Sequence, residues 1–139
     1  MSDRVFVDTN VFVYLFDGDT PDKQSVAREL VAELSKNAIL VLSTQVLQEF
    51  YVSVLRKLEK PLPPRQAQQA TEELSAYTVV QVDTPLIFRA IELSQSETVS
   101  FWDALIIRAA MEAGCVRILS EDLQDGRSFG DTRVANPFV

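Results

Sequence analysis

The fold is decided by the stretch RVFVDTN at residues 4–10. An apolar run follows Arg4 and ends at Asp8, without the strict alternation of polar and apolar residues that marks a half-exposed strand. A short continuous run of this kind is typical of a strand that is buried on both faces of a sheet. It predicts a central parallel strand with Asp8 immediately after its carboxyl end.

The rest of the chain alternates between further strand patterns and helical patterns. Strands are predicted at 39–42, 78–82 and 116–119, and helices at 9–16, 22–36, 44–58, 65–76, 84–96 and 100–113. Thr44 is the expected N-cap of the helix at 44–58, Ser100 begins the helix at 100–113, and Gly114 is the expected stop of that last helix. This alternation implies an α/β fold with a mostly parallel sheet covered by helices on both faces. No repeat or linker divides the 139 residues, so we predict a single domain over 1–139.

The composition excludes several kinds of active site. The chain has no histidine and a single cysteine, Cys115. Ser-His-Asp and Cys-His nucleophilic machinery is therefore absent, and a zinc site lacks its usual ligands. Hydrolytic chemistry here must use carboxylates, hydroxyls, lysines and metals that prefer oxygen.

The net charge of −7 disfavours a protein that holds nucleic acid through a broad basic surface. It does not exclude a nuclease, because a metal ion bound by acidic residues inverts the local field. No apolar stretch is long enough for a membrane span, and the first residues lack the pattern of a signal peptide. We therefore expect a soluble cytoplasmic protein with no membrane partner.

Four carboxylates stand in apolar surroundings: Asp8, Glu49, Asp103 and Asp122. Each also has a simpler interpretation. Asp8 suits a helix N-cap, Glu49 an ordinary half-exposed helix position, Asp103 a capping box with Ser100, and Asp122 turn chemistry. For Glu49 alone, the simpler interpretation is the better one.

The spacing nevertheless favours convergence of these carboxylates. Asp8 and Asp122 each follow a predicted strand, and ligands of parallel sheets bind beyond the carboxyl ends of the strands. Crowded carboxylates raise one another's pKa unless a cation neutralises them. Four convergent carboxylates therefore predict a Mg²⁺ or Mn²⁺ cofactor.

With these residues in view, the sequence resembles the PIN-domain family, and within it the VapC-type toxins. The resemblance is carried, in family order, by VFVDTN at 5–10, QEF at 48–50, FWDALI at 101–106, LSEDLQDG at 119–126 and NPF at 136–138. No one of these motifs is specific by itself. The ordered set spans essentially the whole chain.

The resemblance implies a three-layer α/β/α sandwich and a Mg²⁺- or Mn²⁺-dependent endoribonuclease, the toxin of a toxin–antitoxin pair. It assigns Asp8, Glu49, Asp103 and Asp122 to the acidic quartet, with Asp8 and Asp103 as the surest metal ligands. Asn10 and Ser120 match the family's polar helpers, and Asp125 is a further supporting residue. The implied partners are RNA as substrate, an antitoxin protein and a second copy of the chain.

Two alternatives remain at this point. An aspartate-based phosphatase also places an aspartate after its first strand, but it usually has a second aspartate where this chain has Asn10. A non-catalytic RNA- or protein-binding module could use a basic patch of Arg56, Lys57, Lys60 and Arg65, although a solvated helix end explains these cations at least as well. We also expect four aromatic residues to lie in the core rather than in an interface: Phe12, Phe16, Tyr51 and Trp102.

Overall fold

The apolar run at 4–7 forms the strand β1 (Arg4–Val7) in the interior of the sheet, as predicted. The computed structural model describes residues 2–139; Met1, which begins the predicted domain, lies outside the described residues. The other strands are β2 (Ile39–Ser43), β3 (Thr78–Val80), β4 (Arg117–Leu119), β5 (Ser128–Phe129) and β6 (Thr132–Ala135). The helices are α1 (Thr9–Tyr14), α2 (Pro21–Asn37), α3 (Thr44–Arg56), α4 (Pro64–Leu74), α5 (Thr84–Ser96) and α6 (Phe101–Glu112).

The six strands form one sheet in the order β3-β2-β1-β4-β6-β5. Every neighbouring pair is parallel except β5 and β6, which form an antiparallel hairpin. The chain moves from β1 outward to β3 and then returns to place β4 on the other side of β1. The order in which the chain adds strands therefore reverses between β1 and β4. A crevice opens there at the carboxyl ends of the strands.

The helices cover both faces of this sheet, which makes the fold a three-layer α/β/α sandwich. Helix α1 packs against α2 and α3, and α3 packs against α4, whereas α5 and α6 pack together. Right-handed crossovers place these two groups on opposite faces, because the chain crosses the sheet in opposite directions before and after β3. Both α3 and α6 contact β2. This explains why Val41 and Leu42 are fully buried.

Several details differ from the sequence prediction. The N-cap of α3 is Ser43 rather than Thr44, since the Ser43 side chain accepts a hydrogen bond from the Val46 N–H. The β5–β6 hairpin was not predicted. No helix in the described part of the chain has the length and apolar character needed to cross a bilayer.

The aromatic prediction is wrong for two residues. Phe12 is fully buried and Tyr51 is partly buried, as expected. Trp102, however, is 64% exposed and Phe16 is 37% exposed. Trp102 lies in the first turn of α6 and Phe16 in the turn that follows α1, and in both places the neighbouring elements leave part of the ring uncovered.

Candidate functional site

Asp8 lies at the carboxyl end of β1 and is only 7% exposed. Its backbone N–H donates to the carbonyl of Leu119 and so extends the pairing of β1 with β4 by one residue. Its Oδ1 accepts a 2.8 Å hydrogen bond from the Thr9 N–H at the start of α1, and its Oδ2 accepts a 2.8 Å bond from Ser120 Oγ. Asp8 is therefore both the N-cap of α1 and a buried carboxylate in the crevice.

Within residues 2–139, the charge of Asp8 has no cationic partner. Burial raises its pKa to about 6, hydrogen bonds from Ser120 and Thr9 oppose that rise, and the carboxylates of Glu49 and Asp122 add to it. None of the ion pairs between residues 2 and 139 includes Asp8. A buried anion in this setting favours either a proton or a bound cation.

Asn10 and Ser120 join Asp8 to Asp122. Asn10 Nδ2 donates to Asp122 Oδ2 at 3.1 Å and lies 3.5 Å from Asp8 Oδ2. Asn10 Oδ1 accepts from the Glu121 N–H, while Ser120 Oγ accepts from the N–H groups of Asp122 and Leu123. The segment after β4 is thus fixed by the same two side chains that contact Asp8.

Glu49 approaches this group from α3. Its Oε1 accepts a 2.8 Å hydrogen bond from Thr9 Oγ1, and its Oε2 accepts a 3.4 Å bond from Gln45 Nε2. The residue is exposed, so its carboxylate faces the solvent-filled groove. Thr9, next to Asp8 in the chain, therefore links Glu49 to the start of α1.

Asp103 lies in the first turn of α6. Its N–H donates to Ser100 Oγ at 3.1 Å, which confirms the predicted cap. The hydrogen bonds of the described residues do not include the return bond of a full capping box, from the Ser100 N–H to the Asp103 carboxylate. Asp103 is partly buried, and its carboxylate remains available to the crevice.

Two clefts meet at Asp122. A groove of about 650 Å³ is lined by α1, α3 and the segment after β4, and it includes Asn10, Glu49, Lys57 and Asp122. A second cleft of about 230 Å³ lies between Asp103 and Asp122. The structure therefore brings Asp8, Glu49 and Asp122 close together. Asp103 lies in the adjacent cleft, which shares only Asp122 with the groove.

The donor set fits a hard divalent cation in its chemistry, since it consists of carboxylate, amide and hydroxyl oxygens around an uncompensated buried anion. As the side chains stand, no three acidic residues between 2 and 139 form a group that could hold a metal ion. Donors on Thr9, Asn10 and Ser120 connect three of the carboxylates, those of Asp8, Glu49 and Asp122. The fit therefore rests on the donor chemistry rather than on a closed ligand shell.

Asp125 makes a different contact. Its Oδ1 accepts a 2.9 Å hydrogen bond from the N–H of Asn136, which fastens the C-terminal segment to the loop after β4. The structure gives no hydrogen bond from Asp125 to another member of the predicted site within residues 2–139. The observed contact of Asp125 is a side-chain to backbone hydrogen bond of the kind that aspartate commonly makes in turns.

Sequence reasoning missed a cluster on the wall of the groove, formed by Tyr14, Lys23 and Glu121. Tyr14 OH donates to Glu121 Oε1 at 2.5 Å, and Lys23 Nζ contacts Glu121 Oε2 at 2.6 Å. Lys23 also lies over the rings of Tyr14 and Phe138. Burial raises the pKa of Glu121, but the hydrogen bonds from Lys23 and Tyr14 hold it below its ordinary value.

The predicted basic patch is free of ion pairs. Arg56, Lys57, Lys60 and Arg65 are all exposed, and none of them belongs to a salt bridge of the described residues. Only Lys57 among the four lines the large groove. It is therefore the basic side chain of this patch that stands nearest to the carboxylates.

Comparisons with known proteins agree on the fold. The family model described as PIN domain matches residues 5–124. Solved structures with the same fold include VapC20 of Mycobacterium tuberculosis, described as a sarcin-ricin loop cleaving toxin, at 23% identity and a TM-score of 0.66 over 85% of this chain and 89% of that one. A toxin–antitoxin complex from Klebsiella pneumoniae matches at 18% identity and a TM-score of 0.72, over 96% and 97% of the two chains.

A third solved structure is VapBC2 from Rickettsia felis, bound to a DNA fragment from its promoter. It matches at 19% identity and a TM-score of 0.65 over 96% of this chain and 98% of that one. Among curated proteins, no sequence matches the chain significantly. The identities to the solved structures are low, so these likenesses establish the shared fold.

Proposed function

Because the chain belongs to the PIN-domain family, we propose that it is a Mg²⁺- or Mn²⁺-dependent endoribonuclease that hydrolyses RNA phosphodiester bonds. PIN-domain nucleases generally use divalent metal ions. We further propose that it is the toxin of a toxin–antitoxin pair, acting in the cytoplasm as a single PIN-like domain over 1–139. Its partners under this proposal are the RNA substrate, an antitoxin protein and a second copy of the chain.

The buried Asp8 carboxylate is the observation that carries the catalytic proposal. It lies where the chain direction reverses between β1 and β4, it has no cationic partner within residues 2–139, and hydrogen bonds connect it to the segment that holds Asp122. A structural carboxylate at this depth would be expected to have a basic partner, since an unpaired buried charge is costly.

The toxin proposal has separate support. VapC20 is described as a toxin that cleaves the sarcin-ricin loop, and two other structural neighbours are toxin–antitoxin complexes. These likenesses cover nearly all of this chain and of the matched chains. An antitoxin partner and an RNA substrate are therefore the natural assignments for a protein of this size and fold.

In the proposed reaction, Asp8, Glu49, Asp103 and Asp122 would hold the divalent cation. When bound, the cation lowers the pKa of a water molecule and neutralises charge on the phosphoryl oxygens. Asn10 and Ser120 keep the Asp8 and Asp122 carboxylates oriented by donating to them. Thr9 does the same for Glu49. Lys57 extends into the groove, where its ammonium group can bind a phosphate of the RNA strand.

The test compares Asp8→Asn with Asp131→Asn on a mixture of structured and single-stranded RNAs, in Mn²⁺ and in EDTA. Asp131 is an exposed aspartate in the β5–β6 turn, away from the carboxyl edge of the sheet. We expect cleavage by the wild type and Asp131→Asn in Mn²⁺, none in EDTA, and none by Asp8→Asn.

Full cleavage by Asp8→Asn in Mn²⁺ would show that the site is assigned wrongly. Hydrolysis of a phosphate monoester without cleavage of RNA would favour the aspartate-based phosphatase instead. Binding of Mn²⁺ and RNA with no turnover of any RNA would favour the non-catalytic module.

A further inference from the structure

Gln45 lies in the first turn of α3 and is only 5% exposed. Its Nε2 donates to Glu49 Oε2 at 3.4 Å and to the backbone carbonyl of Trp102 at 3.3 Å. Trp102 directly precedes Asp103 in α6. One buried amide therefore connects the side chain of one predicted metal ligand to the helix turn that carries another.

The other end of the same amide has no partner among the described residues. Gln45 Oε1 is buried and accepts no hydrogen bond from any residue between 2 and 139. Exchanging the positions of Oε1 and Nε2 would not satisfy the oxygen. It would then face the Glu49 carboxylate and the Trp102 carbonyl, which are both acceptors. The orientation of Gln45 is thus fixed by Glu49 and Trp102, and the unpartnered oxygen is its consequence.

A space-filling role does not explain this arrangement. An apolar side chain of similar length, such as methionine, would occupy the same volume without burying an acceptor. Buried polar groups that lack a protein partner are uncommon, and a functional role is one of the recognised reasons for keeping such a group. The donor end of Gln45 is the functional candidate, because it contacts Glu49.

We propose that Gln45 is a positioning residue that holds the Glu49 carboxylate toward the start of α6, so that Glu49 and Asp103 can serve one bound cation. This inference rests on the proposed function. It adds a residue to the site that acts only through Glu49 and does not itself touch the RNA or the cation.

The experiment is a double-mutant cycle read out as the dissociation constant for Mn²⁺, measured by isothermal titration calorimetry without RNA. Loss of a residue that orients a metal ligand commonly weakens metal binding about 10- to 100-fold. We expect Gln45→Met to weaken Mn²⁺ binding about tenfold in the wild-type background and less than twofold when Glu49 is already Gln. The loss should be non-additive because both changes remove the same interaction.

Two further measurements separate positioning from packing. The unfolding midpoint of Gln45→Met in EDTA should equal or exceed that of the wild type, because the substitution removes an unsatisfied acceptor. Gln45→Asn keeps the amide but cannot reach Glu49, so it should also weaken Mn²⁺ binding. The matched control is Gln68→Met, since Gln68 donates to Glu72 at the same spacing on the exposed face of α4. It should leave Mn²⁺ binding unchanged.

Equal weakening of Mn²⁺ binding by Gln45→Met in both Glu49 backgrounds would overturn the inference. So would unchanged binding in the wild-type background. If the wild-type protein itself binds no Mn²⁺, the proposed function fails and the role of Gln45 fails with it. This outcome differs from the two results that overturn only the role of Gln45, because both of those are seen in a protein whose wild type binds Mn²⁺.

Discussion

Ser120 Oγ donates a 2.8 Å hydrogen bond to Asp8 Oδ2, although the two residues are 112 positions apart in the chain. The same hydroxyl oxygen accepts from the N–H groups of Asp122 and Leu123. Ser120 is fully buried, so water cannot readily replace it. One side chain therefore supports the buried carboxylate and shapes the turn that presents Asp122.

Ser120→Ala should lower the free energy of unfolding by about 1–3 kcal/mol, because it leaves a buried carboxylate oxygen and two backbone N–H groups without their partner. Urea denaturation at pH 8 measures the change. Ser96→Ala, at an exposed position near the end of α5, is the control and should be close to neutral. An unchanged stability of Ser120→Ala would contradict the role given to this hydroxyl.

Asp8→Asn should stabilise the metal-free protein at high pH. Burial raises the pKa of Asp8 from 3.8 to about 6, so the folded state binds its proton more tightly than the unfolded state. The ionised group therefore costs the fold up to about 3 kcal/mol above pH 6, and this cost disappears as the pH falls toward 4.

The measurement is urea denaturation of Asp8→Asn and wild type in EDTA at pH 8, 6 and 4.5, with Asp131→Asn as the control. The advantage of Asp8→Asn should be largest at pH 8 and should shrink as the pH is lowered. A variant that is less stable than the wild type at pH 8 would show that the carboxylate is stabilised by contacts stronger than its burial.

Lys23→Met should reduce the rate of RNA cleavage while lowering the unfolding midpoint only slightly. The substitution leaves Glu121 with its charge but without its cation, directly beside Asp122 and on the wall of the large groove. Solvent-exposed ion pairs contribute little to folding, so we expect only a small decrease in the unfolding midpoint. Cleavage in Mn²⁺ and thermal unfolding are compared with those of Lys36→Met, an exposed lysine in the last turn of the same helix. Wild-type cleavage by Lys23→Met would show that the charge of Glu121 beside Asp122 does not affect the reaction.

Trp102 should report directly on the site, because it is the single tryptophan of the chain and precedes Asp103. At 64% exposure, its fluorescence should be quenched readily by acrylamide, and RNA bound near Asp103 should protect it. Trp102→Phe should change the free energy of unfolding by no more than about 0.5 kcal/mol. Phe12→Ala, at a fully buried ring, should instead cost about 3–5 kcal/mol. A blue-shifted emission that resists quenching would place Trp102 in the core.

The sequence predicted the alternating strands and helices because buried strands carry short continuous apolar runs and helices carry a helical spacing of apolar residues. It did not predict the hairpin of β5 and β6, because β5 has only two residues and β6 lacks a continuous apolar run. One signal was present: Gly130-Asp131 is a typical two-residue hairpin turn, and Gly130 has a positive φ of 58°. The core position predicted for Trp102 failed because residue type alone does not reveal which side of a helix its neighbours cover.

For the site, the strand-end argument predicted that Asp8 and Asp122 would meet, and the structure links them through Asn10 and Ser120. The metal-binding roles of the four carboxylates stay predictions. Gln45 and Lys23 could not be identified from sequence, because the contacts that single them out, with Trp102 of α6 and with Glu121 after β4, lie far away in the chain. Which residues face one another across packed helices depends on the tertiary arrangement rather than on local pattern.

The sheet described above ends in two very short strands, the three-residue β3 on one side and the two-residue β5 on the other. Unpaired strand edges are where foreign chains add by backbone pairing, and short edges offer few such bonds. The protein should therefore resist aggregation through strand addition. Any second copy or antitoxin must instead attach through side chains of helices and loops, where recognition can be specific.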